Sequence, residues 1–463
     1  MTVPQIGRLA REMAGFLALG VAVVCALAPP DAQAQSVSNM AALQGLAPFS
    51  VLPNTEAGRA ALAANLAITG ALQAGTLKQP TLLPFPAQQQ QALRDAFITS
   101  GNATELADGL GTRLGAAYQA MAHYEDAGSF TNVSPAVANL FAYTNETTAS
   151  DSNSGKYFFA NGTTDGKTPV SPAAAAVLTA AGGVTDALGR AYGVMAGTPG
   201  ADAFGNSRPF QTEPSLAPIT GADYFGAPSS NAAYLRGPAQ DLTDSPSFPS
   251  GHATYGTMEA VLLALLVPER YQQEVTRAAE YGNDRVILGA HYAMDVIAGR
   301  ALALHDVAHL LANDPAYVGQ PRRRAAVITD YRTALASARA DLTAALQAGC
   351  GDSVAACATE DASRFSSPAA NQALVDATQT YGLPVVYPDT AARTEDVGKV
   401  APEAGTLLMA AFPYLTLAQA DDILTSTEGP GGGFLDDGSA FGVYSRLDLS
   451  AAARKAAALA PVK

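Results

Sequence analysis

Apolar residues recur at helical spacing along most of this chain, and period-two alternation is scarce. The pattern predicts helices over 56–77, 87–98, 105–124, 171–195, 252–266, 268–281, 286–312 and 325–348. Residues 132–169 are dense in Asn, Thr, Ser and Gly and read as loop. Residues 196–250 are dense in Gly, Pro, Asp and Ser, a long loop of the kind that carries function in compact proteins. The class expected is all-α.

Ahead of these helices stands a different pattern. Arg8 and Arg11 precede an apolar run from Met13 to Ala28. Pro29 and Pro30 break the run, and Ala32-Gln33-Ala34 supplies small residues at cleavage positions. This is the pattern of a secretory signal peptide over 1–34, removed before Gln35. The expected destination is the periplasm or the exterior. No later stretch approaches the roughly 18 apolar residues of a spanning helix, and Ala260–Val267 is the longest obvious run. A mature chain without a transmembrane segment is expected. The remainder divides into a helical and loop region over 35–170, a core over 171–315 and a C-terminal extension over 316–463.

Composition adds three constraints. At 48% hydrophobic and 15% charged, the 463 residues carry enough apolar material for a sizeable core. A net charge of −14 argues against nucleic acid as a partner, because phosphate backbones call for a basic surface. Only Cys350 and Cys357 remain beyond the signal segment. In an oxidising compartment they are expected to close one small disulfide loop.

The candidate chemistry lies in three segments. Ser207-Arg208-Pro209 comes first, then Pro249-Ser250-Gly251-His252, then Arg285, His291 and Asp295. His291 and Asp295 are i and i+4 on the predicted helix, so they share a face. A carboxylate there can accept one imidazole N–H and leave the other nitrogen as a nucleophile or a metal ligand. Ser250 and Gly251 fall at a predicted helix N-terminus, where backbone N–H groups and the helix dipole favour an anion. Arg208 and Arg285 can clamp phosphoryl oxygens in a bidentate way. His305 and His309 are also i and i+4, but about 21 Å further along a continuous helix, too far to join this set.

Arg-Pro, then Pro-Ser-Gly-His, then Arg-(five)-His-(three)-Asp resembles the type 2 phosphatidic acid phosphatase superfamily. Bacterial non-specific acid phosphatases and vanadium haloperoxidases belong to that superfamily. The resemblance covers Arg208 to Asp295 and implies an all-α helical bundle. It implies that His291 attacks phosphorus and forms a phosphohistidine, and that Asp295 orients it. His252 would protonate the leaving oxygen and then activate water. Arg208, Arg285, Ser250 and the Gly251 amide would hold the phosphoryl oxygens. No metal and no cofactor are expected for hydrolysis. The substrate expected is a small soluble phosphate monoester. Neutral His291 working with protonated His252 implies a bell-shaped pH profile on the acidic side of neutral.

Two positions depart from the family pattern. Its lysine, seven residues before the motif arginine, is here Ala201, so one phosphate contact is missing or comes from elsewhere; Arg236 is either a substitute or a plain surface arginine. Its Ser-Arg is here Asp284-Arg285, where the acidic neighbour either tunes the arginine or faces solvent. Two other functions compete with a phosphatase. One is a haloperoxidase, with vanadate as cofactor on His291. The other is a phosphate-binding protein with a decayed site.

Overall fold

Thr55 starts the first long helix, accepting the Gly58 N–H on its hydroxyl at 2.9 Å. This helix, α1 (Glu56–Gln73), and α2 (Phe85–Asp95) lie where the apolar spacing places them, within a turn at each end. The computed structural model describes residues 35–461 except 78, 98–100, 127–128, 167, 184–186, 189–205, 210–215 and 235–245. The segment expected to be a signal peptide, Ala201 and Arg236 lie outside the described residues. The helix expected over 105–124 is a 3₁₀ turn, Leu106–Leu110, and a helix, Thr112–Met121, divided at Gly111.

The largest departure concerns 132–169. In place of a loop stands α3 (Pro135–Asn161), a helix of 27 residues. Its ends carry ordinary signals: Ser134 caps the Val137 N–H, Pro135 occupies the first turn, and Gly162 closes the helix. Its middle is polar, but those polar groups point inward. The hydroxyls of Thr144 and Thr147 donate to the carbonyls of Leu140 and Tyr143, at 2.8 and 3.0 Å. Asp151, Ser152 and Lys156 are buried. Packing of Leu140, Phe141, Phe158 and Phe159 into the core outweighs the weak helix propensity of the Asn, Thr and Ser residues.

Three further helices complete the central bundle: α4 (Gly251–Leu266), α5 (Tyr271–Ile287) and α6 (Ala293–Leu311). α4 is buried on almost every side and packs against α3, α5 and α6. The helices expected over 268–281 and 286–312 are divided differently. α5 runs on through Arg285, and the chain then turns at Gly289, whose φ of +78° suits glycine. α6 begins only at Ala293. Among the described residues, strands are confined to two small antiparallel pairs, Tyr124–Asp126 with Ser129–Phe130 and Thr220–Ala222 with Pro228–Ser230. The class is all-α.

The C-terminal extension is bound into the same core. α7 (Tyr331–Cys350) packs on α3, and Cys350 is bonded to Cys357. Arg300 of α6 donates to the carbonyls of Thr378 and Gln379 at 3.0 and 2.8 Å. Phe434 sets its edge against Phe49 and Phe248, and Phe49 stacks on Phe248. One apolar core includes Leu43, Phe141, Leu262, Leu302, Leu342 and Leu424. Among the described residues no helix is long and apolar enough to cross a membrane.

Candidate active site

His291 is not on a helix. It lies in the turn between α5 and α6, and Tyr292 occupies the N-cap position of α6. Asp295 is therefore the third residue of α6, where a carboxylate completes a capping box. Its Oδ2 accepts the Tyr292 N–H at 2.9 Å and faces His291 Nδ1 at 3.2 Å. Ser247 donates its hydroxyl to the same oxygen. With Nδ1 carrying the proton, Nε2 keeps its lone pair, and Arg208 Nη1 stands 3.1 Å from it. Arg208 also donates to the Ala290 carbonyl at 3.0 Å. The sequence spacing places His291 and Asp295 together, though by capping geometry rather than on one helical face.

Ser250 caps α4, its hydroxyl accepting the Ala253 N–H at 3.1 Å. Its own N–H donates to the Asp295 carbonyl at 3.0 Å, which fixes the start of α4 against the start of α6. Gly299 makes this approach possible. A Cβ at that position would lie 2.6 Å from the Ser250 carbonyl oxygen. Gly251 is the first residue of α4, and half-buried His252 follows in the first turn. Arg285 is buried in the last turn of α5.

Electrostatics tie these groups to one place. Burial, then the charges of Arg208, Arg285 and Lys156, hold His291 well below its ordinary pKa. Burial, Arg285, Lys156 and Arg208 do the same to His252. Burial pushes Asp295 up to about 6, against the opposing bonds from Ser247 and Tyr292. Two histidines that each feel three cations, beside a helix N-terminus, form a site suited to an anion.

Residues 174–312 match the model of the PAP2 superfamily. The chain carries a PAP2 domain. It is 45% identical over 69 residues to a non-specific acid phosphatase of Salmonella typhimurium, covering 15% of this chain and 28% of that protein. It is 39% identical over 64 residues to an acid phosphatase of Zymomonas mobilis, covering 14% and 24%. Over 72 residues it is 39% identical to a non-specific acid phosphatase of Providencia stuartii, covering 16% and 29%. The chain thus spans less than a third of the length of these curated relatives.

The PAP2 domain brings Arg208, Ser250, Gly251, His252, Arg285, His291 and Asp295 to one end of α4, α5 and α6. Asp284 does not face solvent: it is buried and accepts the Gln88 side-chain N–H at 2.9 Å. His305 and His309 remain apart from the site, bonded to Asp306 at 3.0 Å and Asp314 at 2.7 Å. Two residues escaped the sequence reading. Ser247, three residues before Ser250, had only a serine's identity to mark it. Lys156 lies outside the PAP2 domain, on a helix read as loop, so nothing linked it to the motifs.

Proposed function

We propose that this protein is an exported, metal-independent phosphatase that hydrolyses small soluble phosphate monoesters through a phosphohistidine on His291. The observation carrying this reading is the Asp295–His291–Arg208 alignment, which directs a lone pair at a position flanked by cations. His291 Nε2 attacks phosphorus, and the P–O bond to the leaving group breaks. His252 gives that oxygen its proton. Water then attacks the phosphohistidine, His252 takes the water's proton, and inorganic phosphate leaves with His291 restored. Arg208, Arg285, Ser250 and the Gly251 amide neutralise the phosphoryl oxygens, the task a metal performs elsewhere. Export rests on the signal-peptide pattern and suits the Cys350–Cys357 bond.

The test is phosphate release from p-nitrophenyl phosphate between pH 4 and 8, for wild type and His291→Ala. Turnover should survive EDTA, fall with vanadate and vanish in the variant. A bell-shaped profile is expected on the acidic side of neutral. The acid limb is protonation of His291, whose lowered pKa keeps Nε2 unprotonated well below the ordinary imidazole range. Above the lowered pKa of His252 the general acid is lost. A rate rising steadily to pH 9 would count against the mechanism. Halide oxidation by vanadate-loaded protein, without phosphate release, would replace it with the haloperoxidase alternative.

A further inference from the structure

Lys156 and Ser152 are i and i+4 on α3, one turn apart on one face, and both are buried. That face meets the N-terminus of α4. A Cβ built on Gly251 would lie 3.4 Å from Lys156 Nζ and 3.5 Å from Ser152 Oγ. The Ser152 hydroxyl is fully buried and has no hydrogen-bond partner among the described residues. The charge of Lys156 also acts on His252, His291 and Asp295, groups from two other elements of the site. Among the described residues Arg208 and Arg285 also act on both histidines, His252 acts on His291, and Asp295 faces His291 Nδ1.

We infer that Lys156, assisted by the Ser152 hydroxyl, binds the phosphoryl oxygens in place of the motif lysine absent at Ala201. The anion site of the PAP2 domain is then completed from outside that domain, by α3. A lysine carried on a long helix of the preceding region reaches the same ligand as one carried on the motif loop. Catalytic competence therefore depends on residues 135–161 as well as on 174–312. For turnover this inference rests on the phosphatase reading; for anion binding it stands alone.

The test uses the full chain with Lys156→Met, Lys156→Gln, Lys156→Arg and Ser152→Ala. Inorganic phosphate and vanadate binding are read by calorimetry, and p-nitrophenyl phosphate kinetics by rate. Lys156→Met and Lys156→Gln should weaken phosphate binding and raise KM about tenfold or more. Lys156→Arg should restore most of the loss, and Ser152→Ala should cost several-fold. Removing the ammonium also relieves His252, so the alkaline limb of the pH profile should move to higher pH. A purely structural lysine would move the melting temperature and leave KM and the profile in place. Wild-type phosphate affinity in folded Lys156→Met or Lys156→Gln overturns the inference. Phosphate binding without turnover in the wild type sinks the phosphatase reading, and Lys156 is then judged on binding alone. Neither binding nor turnover in the wild type sinks both.

Discussion

At the scale of single residues, the carboxylate of Asp295 serves two structures at once. It caps α6 through the Tyr292 N–H and holds the His291 ring through Nδ1. Asp295→Asn should keep the cap geometry but present an amide where a proton acceptor is required. On the proposed mechanism, kcat should fall about a thousandfold or more, with a small change in melting temperature. Equal losses in kcat and in folded fraction would show a structural role alone. Gly299 is the second sensitive position. Gly299→Ala would drive a methyl group into the Ser250 carbonyl, which backbone alone can relieve. A cost of about 1–3 kcal/mol in denaturant unfolding is expected. Activity should drop with it, because Ser250 and Gly251 move together.

Among the elements, the junction between α7 and the helix after it has its own lock. Cys350 ends α7 and Cys357 lies in the short helix Val354–Thr359, which packs on α7 and on Thr112–Met121. Closing so short a loop stabilises by roughly 2–3 kcal/mol in the chain-entropy account. The junction lies in the extension, outside the site cluster, so the Cys350→Ser, Cys357→Ser double variant should lose stability of that order and keep its KM. A change in KM would show that this junction is coupled to the site. α3 offers the opposite lesson. Its composition favours loop, yet Thr144 and Thr147 bond back to its own carbonyls and its aromatic residues fill the core.

Across the whole molecule, the helix that carries Arg285 is anchored by buried charge. Arg277 of α5 bonds both oxygens of Asp95 on α2, at 2.6 and 2.7 Å, and Asp108 at 2.8 Å. Arg364, from the C-terminal extension, joins the cluster through Asp108 and Glu280, each at 2.7 Å. Three distant parts of the chain thus meet on one helix. Arg277→Met leaves Asp95 buried without its main partner, so a loss of about 3–5 kcal/mol is expected in equilibrium unfolding. The double variant Arg277→Met, Asp95→Leu should recover much of it. A single variant as stable as wild type would show the cluster to be dispensable.

The sequence alone determined the helical class, the disulfide pairing and the motif residues that gather at one end of α4, α5 and α6. Those follow from local rules: apolar spacing, two remaining cysteines, and short motifs in a fixed order. Even so, His291 and Asp295 meet because Gly289 ends α5 and Tyr292 starts α6, a boundary that helical periodicity passes over. Only the tertiary structure decided that 135–161 is a helix, that Asp284 is buried against Gln88, and that Lys156 faces Gly251. Each depends on partners far away in sequence. The physical reason is the same in all three: burial against distant residues outweighs local propensity, and no window of neighbouring residues contains that term.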